Sequence, residues 1–318
     1  MDKLIGALPV IDKGAVVEVD IDEYIFGTHL SFLLGWLVGP FRKLRAVSIR
    51  SPVPFSSENI TDPKVPPRSM WVAIFQQWAR SCSSLEHLML NCDPRDVIRA
   101  LPAFEKMSRL WLVIPTTRQD MSATQVLEDL ADCSTSLPAL ESIRLAIESG
   151  SVELAPSLQR CLTAFPVTGV TIGSLRRRGW VSPWASDVAR IAWPSTCWSV
   201  CLDIALSGED LCNLAEQLSL SNVSCLRVSL CADPPAAAAA VETFLASLDR
   251  SQLDEVYVSV LHEPSDDYLR ALRNGAASLI RNLQLLRALV ISDDSEEPLL
   301  LGLDSLAAEH GVSLTDSG

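Results

Sequence analysis

Residues 223–258 read VSCLRVSLCADPPAAAAAVETFLASLDRSQLDEVYV, and this stretch places a helix pattern between two strand patterns. The segments VSCLRV at Val223 and LDEVYV at Leu253 alternate apolar and variable residues, as a strand with one buried face does. Between them, Asp233 precedes Pro234 and a run of alanines, which predicts an N-cap and a proline in the first helical turn. The two strands are predicted to be parallel, because a hairpin needs far fewer linking residues.

The same strand pattern recurs along the chain as an apolar residue, two variable residues and then apolar, variable, apolar. Nine clear copies begin at Leu44, Leu85, Met107, Leu140, Val167, Cys197, Val223, Leu253 and Leu286. Weaker copies at Gly14 and Glu309 bring the total to about eleven, with a mean spacing of 29.5 residues. A short strand and one helix cannot bury their apolar faces alone, so neighbouring repeats are predicted to stack.

Helix boundaries are also readable between the copies. Ser207 with Asp210 forms a capping-box variant, and Ser265 opens the helical pattern DDYLRALRNGAASLI. Ser69 precedes the amphipathic stretch MWVAIFQQWA. Gly311 follows LDSLAAEH and predicts a helix end.

This L-x-x-L-x-L pattern resembles the leucine-rich repeat, in the ribonuclease-inhibitor-like class of strand plus helix. The resemblance extends from about Gly14 to Leu314. It implies an irregular α/β solenoid over residues 1–318, with a curved parallel sheet inside and helices outside. The spacing is irregular, and the usual Asn or Cys after the strand has counterparts only near Cys92 and Cys231.

The irregular copies are also similar to the repeat region of fungal F-box proteins. No F-box is evident, because only thirteen residues precede Gly14. This similarity implies that ubiquitin-ligase components are among the partners, with the F-box either missing or lying outside this chain.

An open, doubly wound α/β sheet is the competing interpretation, and it would imply an enzyme with a site at the carboxyl ends of the strands. Such enzymes usually carry a glycine-rich turn after an early strand. The chain contains no G-x-G-x-x-G, no P-loop motif and no G-x-S-x-G. The repeat therefore favours the solenoid, and a catalytic set is not predicted.

Composition narrows the possible functions and locations. The 318 residues include 26 basic and 39 acidic side chains, for a net charge of −13, which argues against a nucleic-acid-binding protein. No apolar run is long enough to span a membrane, and no secretory signal is recognisable. The nine cysteines include no C-x-x-C pair, and only four histidines occur. These features predict reduced core cysteines, no metal or cofactor, and a cytoplasmic or nuclear protein.

Three surface features each leave two interpretations open. Residues 207–318 carry 18 acids and 6 arginines, which indicates either a solvated face or a landing surface for a basic partner. The Pro-rich segment 52–68 is predicted to be an inserted loop, either a plain surface insertion or a binding loop. The cluster Arg176–Arg178 before Trp180 is interpreted as a solvated loop rather than a nucleic-acid contact.

Strand alternation identifies the candidate binding residues. If the apolar residues of each copy face the helices, the residue between the last two apolar positions faces the other way and lines the concave sheet. That column is predicted to contain Glu18, Ser48, Met89, Trp111, Arg144, Thr171, Cys201, Arg227, Tyr257, Val290 and Ser313. Its aromatic and arginine members, Trp111, Arg144, Arg227 and Tyr257, are typical of binding hot spots.

An alternative role for the two aromatic residues is packing under a flanking loop. Together, the repeat and the column predict a non-catalytic intracellular scaffold or substrate-recognition module. Its partner would bind on the concave sheet or on the acidic C-terminal third.

Overall fold

The computed structural model describes residues 15–22, 42–50, 68–82, 84–90, 94–114, 122–147, 153–174, 184–231, 237–261, 264–292 and 302–317. The chain divides into two compact units. The first unit comprises residues 1–148 with 164–166, and the second comprises 149–163 with 167–318. A single solenoid over the whole chain remains a prediction.

The described part of the first unit contains five strands and three α-helices. Its strands are β1 Glu18–Asp22, β2 Ala46–Arg50, β3 His87–Leu90, β4 Arg109–Ile114 and β5 Ser142–Ile147. Its helices are α1 Arg68–Ser81, α2 Pro94–Ala100 and α3 Ala123–Asp132. The strands pair in parallel and lie side by side in chain order.

The described part of the second unit contains six strands and six α-helices. The strands are β6 Gly169–Ser174, β7 Ser199–Asp203, β8 Cys225–Cys231, β9 Glu255–Leu261, β10 Ala288–Ser292 and β11 Ser313–Ser317. The helices are α4 Ala155–Ala164, α5 Ala185–Ala189, α6 Gly208–Ser219, α7 Ala237–Ser247, α8 Asp266–Asn282 and α9 Asp304–His310. These strands also pair in parallel and in chain order.

The described helices of each unit are assigned to one face of the strands from the handedness of the crossovers. Parallel crossovers are right-handed, so helices between strands that advance in one direction fall on the same face. On that face the strand side chains are apolar and buried, as at Val47, Leu110 and Ile143 in the first unit. The opposite face, which no described helix covers, is called the helix-free face. The α/β class with parallel strands is therefore confirmed.

The repeat has a constant backbone geometry. The first residue of all nine clear copies is buried, with at most 4% of its surface exposed. In the eight copies other than the one at Val167, the next two residues donate their N–H groups to one carbonyl of the preceding copy. Ser108 and Arg109 both donate to the Glu86 carbonyl, and Asp254 and Glu255 both donate to that of Ser224. These strands therefore begin with the same pattern of backbone hydrogen bonds to the preceding strand.

The register of the two end strands differs from the prediction by two residues. Ser48 pairs with Asp20 rather than Glu18, and Val290 pairs with Thr315 rather than Ser313. A shift of two residues leaves every side chain on the same face, so alternation alone does not distinguish the two registers. The predicted columns are corrected at both ends.

Three predicted helix ends are confirmed, whereas Ser69, predicted to precede a helix, lies inside α1. Ser207 and Asp210 form a reciprocal capping box, and the Ser265 hydroxyl accepts the Tyr268 N–H. Gly311 ends α9 with a φ of 70°, the left-handed conformation that favours glycine.

Several predicted features lie outside the described residues. These are the Asp233 N-cap, the Arg176–Arg178 cluster with Trp180, and the Pro-rich loop 52–68 apart from Arg68, where α1 begins.

Candidate functional site

The helix-free face of the first unit carries two columns of paired positions. The first column is Glu18, Ala46, His87, Arg109 and Ser142, and the central column is Asp20, Ser48, Met89, Trp111 and Arg144. Two residues further along the strands, Val113 and Ala146 are each only 6% exposed. The accessible part of this face on β4 and β5 therefore ends at the central column.

Trp111 and Arg144 form a stacked pair across β4 and β5. The guanidinium carbon of Arg144 lies 4.1 Å from the centroid of the Trp111 ring, within cation–π distance. The indole Nε1 of Trp111 is buried and has no hydrogen-bond partner among the described residues. Arg144 is exposed, so its guanidinium combines a stacked face with donors that remain available to a ligand.

These two residues lie in an open depression of about 540 Å³. Its lining spans both columns and includes Glu18, Ser48, His87, Met89, Arg109, Trp111, Ser142 and Arg144. Burial, followed by the nearby charge of Arg109, lowers the pKa of His87 below its ordinary value. Arg109 and Arg144 are exposed and form no ion pair within the described ranges. The depression therefore presents two arginines, one imidazole and the carboxylate of Glu18.

An ion pair adjoins this depression at the start of β2 and β3. Arg45 donates two hydrogen bonds to the Glu86 carboxylate, with nitrogen–oxygen distances of 3.0 and 2.6 Å. These hydrogen bonds lower the pKa of Glu86 and raise that of Arg45. Because the two charges compensate each other, the positive character of the depression comes from Arg109 and Arg144.

A second stacked pair lies on the helix-free face of the second unit. The guanidinium carbon of Arg227, on β8, lies 4.8 Å from the centroid of the Tyr257 ring on β9. The Tyr257 hydroxyl donates to Glu255 Oε2 at 3.1 Å, and this hydrogen bond is the main cause of the raised pKa of Tyr257. The cluster therefore contains an arginine, a phenol and a carboxylate held in fixed mutual positions.

A row of small polar residues runs beside this second pair, near the carboxyl ends of the strands. Ser229 donates to Asp203 Oδ1 at 3.4 Å, and the hydroxyls of Ser259 and Ser292 lie 3.3 Å apart. Strand pairing joins Ser229 to Ser259 and Ser259 to Ser292. Ser229 is buried, so the accessible hydroxyl groups of this serine row are those of Ser259 and Ser292.

Five of the described cysteines do not have the character of activated nucleophiles. Burial raises the pKa of Cys161 to about 12 and that of Cys197 to about 11, and it also raises the pKa of Cys82, Cys133 and Cys225. A raised pKa disfavours the thiolate, which is the nucleophilic form. Over the described ranges, no group of three or more His, Cys, Asp or Glu side chains could hold a metal ion.

The four residues selected from the sequence thus form two pairs, one in each unit. Strand pairing places the nine central positions from Ser48 to Val290 in the predicted columns, four in the first unit and five in the second.

Sequence reasoning missed His87 and Arg109, which lie two residues before the central column. It also missed the serine row. His87, Arg109 and the serine row all follow the same two-residue alternation. Extending that alternation along each strand would have identified them.

Comparison with known proteins gives no family assignment. No family model matches the chain, and no curated protein matches it. Among the described helices, none combines the length and apolar character needed to cross a membrane.

Proposed function

We propose that this protein is a non-catalytic protein-interaction module built as an irregular leucine-rich-repeat solenoid. Its partner binds the helix-free faces through Trp111 with Arg144 and Arg227 with Tyr257. The observation that carries this proposal is the pairing of each arginine with an aromatic ring on a face that no described helix covers. Aromatic and arginine side chains are enriched in interface hot spots because they provide large contact areas together with directed polar groups.

The strand order supports binding over catalysis. Open-sheet enzymes place their site where the strand order reverses. In the first unit the order proceeds from β1 to β5, and in the second from β6 to β11, with no reversal among the described strands of either unit. The raised pKa of Cys225, which lies beside the second pair, also gives no support to a nucleophilic mechanism.

The helix side of the second unit supports an additional contact with a basic partner surface. A groove of about 940 Å³ lies there, bordered by α6 and α7. Its charged lining residues are Glu216, Glu242, Asp249 and Arg250. Three acids against one arginine give the groove a negative potential, which attracts a basic surface and increases its rate of association.

The proposed setting is the cytoplasm or nucleus, with ubiquitin-ligase components as a candidate class of partner. Two observations support this part: Cys161 and Cys197 are buried free thiols, and the repeats resemble those of F-box proteins.

Affinity capture from the native cell, followed by identification of the bound proteins, tests this function. The wild-type chain is compared with Trp111→Ala/Arg144→Ala and with Arg227→Ala/Tyr257→Ala. A control variant, Arg80→Ala/Arg99→Ala, removes two exposed arginines from α1 and α2. Circular dichroism establishes that every variant is folded before its captured proteins are compared.

We expect a discrete partner with wild type and the helix-side control, and its loss with at least one variant of the helix-free faces. Retention of the partner by both of those variants would show that the chosen faces are wrong. If no partner is captured by the folded wild-type protein, the proposed function fails.

A further inference from the structure

The depression in the first unit has a charge opposite to that of the chain. The protein carries a net charge of −13, yet Arg109 and Arg144 line this depression, and Glu18 is its acidic lining residue. Neither arginine has a carboxylate partner in the described part of the chain. A cationic surface retained on an acidic protein, with its arginines unpaired, is complementary to an anionic ligand.

The strand geometry fixes the spacing of the two arginines. Arg109 pairs with Ser142, and Trp111 pairs with Arg144, so the arginines lie diagonally across β4 and β5. Neighbouring strands are about 4.8 Å apart, and two residues advance about 6.6 Å, which separates the two Cα atoms by about 8 Å. An extended peptide repeats its side chains about every 6.6 Å on one face, which is about 1.5 Å shorter than the Cα separation of the two arginines.

The remaining lining fits a polypeptide chain. Met89 and the Trp111 ring supply apolar contact area, and the hydroxyls of Ser48 and Ser142 lie on the same surface. A volume of about 540 Å³ lies within the range of about 300–1,000 Å³ that is typical of ligand sites. The site can therefore accommodate a few side chains of a larger partner.

We propose that this depression binds an acidic segment of the partner protein in an extended conformation, with alternate Asp or Glu carboxylates on Arg109 and Arg144. Each guanidinium binds a carboxylate through two N–H donors, and Trp111 holds the Arg144 plane in position for that contact. The inference rests on the proposed function and specifies the partner's chemistry at the first-unit face.

Peptide selection on the full-length protein tests the predicted charge preference. A display library of random peptides is selected on wild type, on Arg109→Ala/Arg144→Ala, on Arg109→Glu/Arg144→Glu, and on the control Arg80→Ala/Arg99→Ala. We expect Asp and Glu enrichment with wild type and the control, its loss with the alanine variant, and selection of Lys and Arg with the glutamate variant.

A quantitative measurement follows with a labelled peptide of repeated Glu-Ser units and its Gln-Ser counterpart. Fluorescence anisotropy should show binding of the Glu-Ser peptide, with affinity reduced about tenfold for each arginine replaced by alanine. The Gln-Ser peptide should bind at least about tenfold more weakly. A single-stranded oligonucleotide of equal charge serves as a competitor, and tighter binding of that oligonucleotide would overturn the proposal.

Peptide selection and cellular capture separate a wrong acidic-segment proposal from a wrong proposed function. If selected peptides depend on Arg109 and Arg144 but are not acidic, the helix-free face binds partners and the acidic-segment proposal is wrong. The acidic-segment proposal is also wrong if the alanine variant selects acidic peptides as well as wild type does. A cellular partner lost with Trp111→Ala/Arg144→Ala preserves the proposed function in either case.

Discussion

The guanidinium carbon of Arg144 lies 4.1 Å from the centroid of the Trp111 ring, and the two residues occupy paired positions on neighbouring parallel strands. The register brings their Cα atoms together, and the stacking fixes the orientation of both side chains. A ligand-binding surface gains from this arrangement because less side-chain freedom remains to be lost on binding.

A double-mutant cycle measures the interaction energy of this pair. The variants are Trp111→Leu, Arg144→Gln and the double variant. Urea unfolding gives the free energy of unfolding of each protein. We expect a coupling of about 0.5–1 kcal/mol, the range for a cation–π pair at an exposed site. A parallel cycle with Trp111→Leu and Arg80→Gln should give a coupling near zero. Equal coupling in both cycles would show that the stacked pair contributes nothing specific.

The strand register of the copies away from the chain ends could be predicted, because their apolar pattern is compatible with only one register. Each of the seven copies from Met107 to Leu286 has a buried first residue followed by two alternating buried positions, and a shift by one residue exposes them. At the amino-terminal end, Val17, Val19 and Ile21 fit two registers that differ by two residues. Both bury the same face, so only pairing with β2 decides between them.

The sequence predicts which residues of the candidate site share one face of the sheet. It does not predict which of their side chains are in contact. Period-two alternation places Trp111, Arg144, Arg227 and Tyr257 on one side of their strands. Which neighbour each arginine stacks on depends on side-chain rotamers, which the sequence pattern does not contain. His87 and Arg109 belong to the same face, and a selection restricted to one column omits them.

The pH dependence of stability should reveal the environment of His87. Burial, then the charges of Arg109 and Arg45, lower its folded pKa, against raising effects of Glu86 and Glu18. A folded pKa below the unfolded value of about 6.5 means that the unfolded state binds the proton more readily. Stability contributed by neutral His87 is therefore fully present above about pH 6.5 and is lost as the pH falls through the folded pKa.

Urea unfolding of wild type and His87→Gln, at a series of pH values from neutral to mildly acidic, isolates this contribution. Both proteins share every other titratable group, so the difference between their unfolding free energies reports His87 alone. The stability of wild type relative to His87→Gln should fall as the pH decreases. A difference that stays constant, or that grows toward acidic pH, contradicts a lowered pKa.

The first residue of each repeat should dominate core stability. Leu140 has no exposed surface, whereas 78% of Leu220 is exposed. Leu140→Ala should lower the free energy of unfolding by about 2–5 kcal/mol through lost transfer energy and the cavity that remains. Leu220→Ala should change it by less than about 0.5 kcal/mol. Similar losses for the two variants in chemical unfolding would refute the assignment of Leu140 to the core.

Two serine N-caps provide a matched test of helix capping. Ser207 accepts the Asp210 N–H and completes a capping box on α6, whereas Ser122 at the start of α3 makes no side-chain capping bond. Ser207→Ala should destabilise the protein by about 1 kcal/mol in thermal or urea unfolding. Ser122→Ala should be nearly neutral. A larger loss at Ser122 than at Ser207 would contradict the capping geometry of both helices.

The hydrogen bond between Tyr257 and Glu255 should control the ionisation of the phenol. Because the hydroxyl donates to Oε2 of Glu255 and faces its negative charge, the pKa of Tyr257 lies above the ordinary value. Glu255→Gln removes the charge and should lower this pKa. Arg227→Ala removes a nearby positive charge and should raise it further.

Ultraviolet absorbance of the phenolate, followed through the alkaline range, measures both shifts. Subtracting the titration of Tyr257→Phe from that of each Tyr257-containing protein removes the signal of the remaining tyrosines. Opposite shifts in the two variants establish that Tyr257 lies between an acceptor carboxylate and a guanidinium. An unchanged titration in both variants would show that the three side chains do not interact. It would remove the basis for placing Arg227 and Tyr257 in one binding surface.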